Sequence, residues 1–216
     1  MMLALLGCFA LAAATPRDFL KLHYLNEFVP GTRAILPPVR VAVLPVGGEL
    51  ASGTHDVGKV YNSSGQLEKP MAVVDAGTVL HDALMAGLSD AGMKPIALSA
   101  PDDAINLKTG IDLLLYCELQ QLSVEKKFTA QQTIHGQYFT MVSRVKLKFM
   151  LRRRGATLYE SEMEGGEDEP PKPVGNEVFF PLETDPAESL SVALSRAMGA
   201  LLIDPKFRAG IASRGP

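Results

Sequence analysis

Tyr138-Phe139-Thr140-Met141-Val142-Ser143-Arg144-Val145-Lys146-Leu147-Lys148-Phe149-Met150-Leu151-Arg152 is the stretch on which the fold turns. Its side chains alternate. Phe139, Met141, Val145, Leu147, Phe149 and Leu151 fall on one side of an extended chain; Tyr138, Thr140, Arg144, Lys146, Lys148 and Arg152 fall on the other. Successive side chains of a strand point to opposite faces, so this is a strand with one buried and one wet face. A sheet that keeps one face wet is typically antiparallel. Arg153-Arg154-Gly155 then makes a tight turn, and Ala156 to Glu164 returns as the partner strand. A three-residue loop with Gly155 in the left-handed position predicts Arg152 opposite Ala156. Counting back, Lys148 faces Glu160, Lys146 faces Glu162 and Arg144 faces Glu164, with Phe149 on Tyr159 and Val145 on Met163.

Working outward, Ile111 to Val124 repeats the two-residue period through Ile111, Leu113, Leu115, Cys117 and Leu119. Val39 to Val46 (VRVAVLPV) is β-branched and reads as the first strand, and Met93 to Leu98 as a short one. Val74 to Ala91 is an amphipathic helix: Val79, Leu80, Ala83, Leu84, Gly87, Leu88 and Ala91 recur at i, i+3, i+4 spacing, with Asp75 as N-cap and Gly92 as the terminating glycine. A second helix starts at Asp185, with Pro186 at its first position and Glu188 at its third. Its apolar stripe is Leu190, Leu194, Ala197, Met198, Leu201 and Leu202, and Asp204-Pro205 ends it. The expected fold class is α+β: a single mostly antiparallel sheet, order β-α-β-β-β-β-α, with two amphipathic helices packed on one face. One domain is expected over 39–207, after an extended lead-in over 15–38 and before a mobile tail over 208–216. Gly47 to Met71 reads as a long structured loop and Gly165 to Leu182 as an acidic, Pro-rich one.

The 216 residues are 47% hydrophobic and 21% charged, which is the composition of a globular chain and not of a disordered one. A net charge of −3 leaves no electrostatic footprint for nucleic acid. Two cysteines, Cys8 and Cys117, are too few for a disulfide framework or a four-cysteine zinc site.

Met1 to Ala14 (MMLALLGCFALAAA) is apolar throughout and too short to span a bilayer. It fits the hydrophobic region of a secretory signal, although no Lys or Arg precedes it. Two processing sites compete. Ala12-Ala13-Ala14 supplies a small-residue cleavage site before Thr15, while Leu5-Leu6-Gly7-Cys8 resembles a lipobox with Cys8 as the acylated residue. Either way the domain is expected outside the cytoplasm.

No catalytic constellation emerges. His23, His55, His81 and His135 lack the spacing of a local zinc site. His55-Asp56 is an adjacent pair expected to face solvent, and His81 beside Asp82 is expected to be exposed. No G-x-S-x-G turn or G-x-G-x-x-G loop occurs. Cys117 on an apolar strand face reads as packing. Glu160, Glu162, Glu164, Glu167, Asp168 and Glu169 read as a solvated strand face running into a loop, and Arg152-Arg153-Arg154 as a solvated hairpin end. No catalytic residue, metal or cofactor is expected. The candidate binding residues are Gly58, Tyr61, Asn62, Gly65 and Pro70, because a structured loop on a rigid sheet is a usual place for binding.

The chain resembles the YajG-type family of bacterial envelope lipoproteins. The resemblance runs through the VAVLPV strand, through Val57-Gly58, Asn62, Gly65 and Pro70, and through the helix ending Leu84-Met85-Ala86-Gly87-Leu88-Ser89-Asp90-Ala91-Gly92. It continues through Leu113 to Val124 and the hairpin, and ends on Leu194-Ser195-Arg196-Ala197 and Asp204-Pro205-Lys206-Phe207. It implies a lipid anchor at Cys8 in the outer membrane, a periplasm-facing domain and no catalytic residues to carry over. The sequence departs from the family at Gly47-Gly48-Glu49, where Asp and Arg are more usual. The function expected is that of a non-enzymatic accessory subunit contacting an envelope protein partner. The alternative is a small-ligand or glycan binder using the 47–71 loop, and no nucleic-acid partner is expected.

Overall fold

The computed structural model describes residues 17–25, 36–61, 64–99, 111, 113–133, 136–174 and 185–213. The expected signal segment, Cys8 and His135 lie outside them. The strands are β1 (Asp18–Leu20), β2 (Arg40–Val43), β3 (Thr54–Tyr61), β4 (Leu67–Val74), β5 (Lys94–Ala97), β6 (Leu113–Thr133), β7 (Gly136–Arg153) and β8 (Ala156–Val174). The helices are α1 (Ala76–Asp90), α2 (Pro186–Ile203) and α3 (Pro205–Ala212).

The sheet corrects the expected topology. It is eight-stranded and mixed, with the path β1-β4-β3-β6-β2-β5, and β7 and β8 follow on the other edge of β6. β6 organises it. One edge of this long strand runs antiparallel to β7. The other edge is shared: its start pairs parallel with β2 at Val41↔Leu113, and its later part pairs parallel with β3 at Gly58↔Val124. The expected loop over 47–71 is mostly the β3–β4 hairpin. The expected acidic loop after Gly165 begins as a continuation of β8, paired with β7 as far as Gln137↔Val174.

Described parts of the lead-in and of the tail pack on the domain. β1 pairs parallel with β4, and Leu22 is buried in the core. The chain then runs along α2, where the His23 N–H donates to Ser191 Oγ at 3.0 Å and the Leu25 N–H donates to Ser195 Oγ at 2.8 Å. One helical turn plus a fraction advances about 6 Å, close to the two-residue advance of an extended chain at about 6.6 Å, so the rungs match. Ser191→Ala with Ser195→Ala is expected to cost about 1 kcal/mol per lost bond. It should also release the His23 and Leu25 amides to hydrogen exchange while the β6–β7 amides stay protected.

Helix α3 occupies the expected tail. Phe207, Gly210 and Ile211 are buried. Asp204 joins it to α2: Oδ1 accepts from the Lys206 N–H at 2.7 Å, and Oδ2 accepts from the Tyr159 hydroxyl at 2.8 Å. Tyr159 also meets Phe207 edge-on, ring centroids 5.4 Å apart. Burial, then the bond to Asp204, pushes the Tyr159 phenol above its ordinary value of 10.0. The neutral phenol is therefore favoured in the folded state. Its stabilisation is complete below about pH 10 and is lost as pH rises toward the folded value. Tyr159→Phe is expected to cost roughly 1–2 kcal/mol at neutral pH and to flatten the alkaline limb of a stability-against-pH curve.

The three described helices share one core on one face of the sheet. Leu80, Leu84 and Leu88 of α1, Leu190, Leu194 and Leu201 of α2, and Phe207 of α3 pack with Val41, Val43, Leu115, Cys117, Leu147 and Phe149. Burial of each leucine contributes about 1.5–3 kcal/mol. Two glycines set the spacing. A Cβ on Gly165 would lie 1.7 Å from the Ala193 carbonyl oxygen of α2, and one on Gly58 would lie 1.8 Å from that of Val124. Asp75 sits at the N-cap of α1 in a left-handed conformation, φ 46°, but caps nothing with its side chain. Its Oδ1 instead accepts from the Gly53 N–H at 2.7 Å, tying the hairpin to the helix start. Asp185 does cap α2, accepting from the Ala187 N–H at 2.9 Å.

The hairpin register is corrected by two residues. Lys146 lies opposite Glu164, Lys148 opposite Glu162 and Phe149 opposite Ser161. The turn is Arg154-Gly155, with φ of 45° and 86°, and two successive left-handed residues are what a two-residue type I′ hairpin needs. Such a turn alone would bring charged positions against apolar ones. An extra residue, Leu158, lies between the pairs Leu151↔Tyr159 and Arg152↔Thr157. This bulge restores the alternation.

Candidate functional site

A hollow opens on the sheet face opposite the described helices. After β2 the chain stays on β6: the Gly47 N–H donates to the Cys117 carbonyl and the Leu119 N–H to the Gly47 carbonyl, each at 2.9 Å. Gly48 has φ 103°, and a Cβ there would lie 2.4 Å from the Leu119 carbonyl oxygen. Gly47-Gly48 therefore lets the main chain lie tight on β6 before turning away. The hollow is bounded by Leu44-Pro45-Val46 on one side and Met150 and Lys148 on the other, with Tyr116 and Glu118 between them. Its volume is about 540 Å³, within the usual range for ligand and anchor pockets. Ala42, Leu44 and Leu98, with Leu114 and Tyr116 packed against them, form a second small apolar cluster on this face.

The cations of β7 on this face are partnered. The Arg152 guanidinium stacks over Tyr116 at 5.4 Å. Lys148 Nζ meets Glu160 Oε1 at 2.7 Å, Lys146 Nζ meets Glu162 Oε2 at 2.6 Å, and Arg144 is bidentate to Asp168 at 2.6 and 2.9 Å. These are diagonal partners, which long side chains reach across a ladder. The bonds from Lys146 and Arg144 hold the Glu162 and Asp168 carboxyls below their ordinary values. Glu160, Glu162, Glu164 and Glu167 of β8 thus face cations, and among the described residues no group of three His, Cys, Asp or Glu converges for a metal. The Cys117 side chain points into the helix-side core, and burial pushes its thiol far above the usual range, so it is a poor nucleophile.

The described loop candidates lie along the β3–β4 hairpin. Gly58 is a strand residue pressed on β6, and Pro70 lies in β4 opposite Lys59. Tyr61 ends β3, half-buried; Gly65 is in the turn with φ 74°. Asn62 lies outside the described residues. His55 Nε2 lies 2.7 Å from the Ser52 carbonyl oxygen, in a local turn and not in a cleft. His81, expected to be exposed, is half-buried, its side chain 18% exposed and Nδ1 3.8 Å from Asp82 Oδ1. Among the described residues of the 47–71 stretch, Gly47 and Gly48 border the hollow. Sequence reading missed Tyr116, Leu44 and Met150. The available signal was that the wet faces of β6 and β7 turn apolar at Leu114, Tyr116 and Met150.

No protein-family model matches the chain, and no curated protein matches it. Its fold does match solved structures. A Xanthomonas campestris protein of family DUF330 superposes with TM-score 0.50 at 12% identity, over 87% of this chain and 92% of that one. A Helicobacter pylori neuraminyllactose-binding hemagglutinin homolog gives 0.46 at 11% identity, over 89% and 95%. Lipoprotein GNA1162 from Neisseria meningitidis gives 0.31 at 16%, over 61% and 84%. At these identities the likeness to the first is one of fold, and the other two scores are too low to carry an argument.

Proposed function

We propose that the chain is an exported cell-envelope protein of the YajG type that works by binding, as an accessory subunit, with the hollow beside Tyr116 and Met150 as its anchor point for a protein partner. The observation that carries the binding role is the make-up of that hollow: an apolar centre of Leu44, Val46, Tyr116 and Met150 rimmed by Glu118 and Lys148. A buried aromatic and aliphatic centre with a charged rim is how protein interfaces concentrate their affinity. Export rests on Met1 to Ala14, and anchoring on Cys8 within Leu5-Leu6-Gly7-Cys8. The glycan-binding alternative looks to a pocket around His55, Tyr61 and Asn62; His55 and Tyr61 do not border this hollow.

Site-specific photocrosslinking tests the reading. A crosslinker at Met150 of the full chain, expressed in intact cells, is expected to trap a discrete envelope protein. Tyr116→Ala, which truncates the anchor, should weaken that crosslink by about tenfold or more. A crosslinker at Leu67, 51% exposed on the far hairpin, should not trap the same protein. Equal trapping from both positions, or none from Met150, would contradict the proposed surface.

A further inference from the structure

The basic residues of the chain are not evenly neutralised. Six described cations face carboxylates: Arg17 with Asp56, Lys69 with Asp18, Arg144 with Asp168, Lys146 with Glu162, Lys148 with Glu160, and Arg196 with Glu167. One end of the sheet differs. Arg40 and Lys94 start β2 and β5 directly opposite each other. Val41 pairs with Leu113 of β6, and Leu114 pairs with Arg152 of β7, so these strand ends line up. Arg153 and Arg154 lie at the hairpin turn beyond. Helix α3 brings Lys206 and Arg208 to the same end, because Gly210 packs on Leu151 and Leu158 and Arg153 bonds to Ser213.

Arg153 is used on Ser213, Arg152 on Tyr116, and Arg208 on the Leu202 carbonyl. Arg40, Lys94, Arg154 and Lys206 are exposed, and among the described residues none has a carboxylate partner. The described acids at this end are Asp90, Glu160 and Asp204. Glu160 pairs with Lys148. Asp90 and Asp204 keep their charge, Asp204 accepting from neutral groups, the Tyr159 hydroxyl and the Lys206 N–H. The described cations at this end, Arg40, Lys94, Arg152, Arg153, Arg154, Lys206 and Arg208, outnumber them. Among the described residues this end therefore carries an excess of positive charge, although the net charge of the chain is −3.

We propose that this end, Arg40, Lys94, Arg154 and Lys206, docks on an anionic phospholipid surface. The cations sit on strand starts, a turn tip and a short helix, spread over three strand spacings, about 14 Å. That suits a planar array of headgroup phosphates. The proposal rests on the envelope reading above, which places the domain beside a membrane. Basic residues near an anionic surface each add about fivefold in affinity.

The test is flotation of the full chain with vesicles of phosphatidylcholine, with and without phosphatidylglycerol. The ratio of the two affinities is read, which cancels any insertion of the apolar N-terminus. Phosphatidylglycerol should strengthen binding, and added salt should remove the gain. Arg40→Gln with Lys94→Gln, and separately Arg154→Gln with Lys206→Gln, should each reduce the ratio by about tenfold or more. Lys21→Gln with Lys59→Gln removes two exposed lysines elsewhere and should change it little. Equal binding to both vesicle types, or a control pair as costly as the patch pairs, would overturn the proposal. Either result leaves the export reading standing, since cell fractionation decides that separately.

Discussion

Gly165→Ala is expected to destabilise the chain by about 3 kcal/mol or more, at the upper end of the cost of overpacking. The added Cβ meets backbone: the Ala193 carbonyl oxygen at 1.7 Å and the Ala197 nitrogen at 2.7 Å. Neither can rotate away, so α2 must lift from β8. Leu190, Ala193, Leu194 and Ala197 are all fully buried in that contact, and every one loses packing as the helix moves. The neighbouring Gly166 is the control. A Cβ there meets the Arg144 side chain, the nearest atom at 3.0 Å, and a flexible arginine can yield. Gly166→Ala should therefore cost under about 1 kcal/mol. Urea melts of the two variants measure the difference. Equal midpoints would mean that α2 does not rest on Gly165.

Gly58→Ala should have a comparable effect by a different route. Its Cβ would sit 1.8 Å from the Val124 carbonyl oxygen, inside the parallel ladder that joins β3 to β6. That ladder runs only from Gly58↔Val124 to Val60↔Lys126. Forcing it apart frees the β1–β4–β3 edge from the rest of the sheet and exposes the buried Val57 and Met71. The expected loss is about 3 kcal/mol, with hydrogen exchange rising first at residues 58–60 and 124–126. Pairing of β6 with β7 does not depend on this ladder and should stay protected longest. Uniform exchange across the sheet would show that the edge is not a separable unit.

These two glycines also explain what the sequence concealed. The alternation of β7 and the stripes of α1 and α2 were legible because each follows from a local period. Gly58 and Gly165 look like breakers in isolation. Each is required by a close approach from an element distant in sequence, so the β3–β4 hairpin and the continuation of β8 both read as loops. Pro70 misled in the same way. It lies one residue beyond the β1–β4 ladder, which starts at Met71, so β4 is an edge there and tolerates a missing N–H. The hairpin register was missed because an arginine, Arg154, takes a left-handed conformation that sequence reading reserves for glycine or asparagine, and because the Leu158 bulge is invisible locally. The parallel pairings of β6 with β2 and β3 join residues far apart in the chain, and no local pattern encodes them. At the site, Tyr116 and Met150 were visible as apolar residues on wet faces, but their meeting with Leu44 depends on that same non-local pairing.

The proposed binding role requires that the chain leave the cytoplasm, and the mass of the mature protein measures this most directly. Cells expressing the full chain are fractionated, and the intact mass is taken from each fraction. The expected result is an envelope species lacking residues 1–7 and carrying acyl chains on Cys8, or a species beginning at Thr15. Cys8→Ser should abolish the acylated form. A full-length, unmodified chain beginning at Met1 and confined to the cytoplasmic fraction would contradict the envelope role.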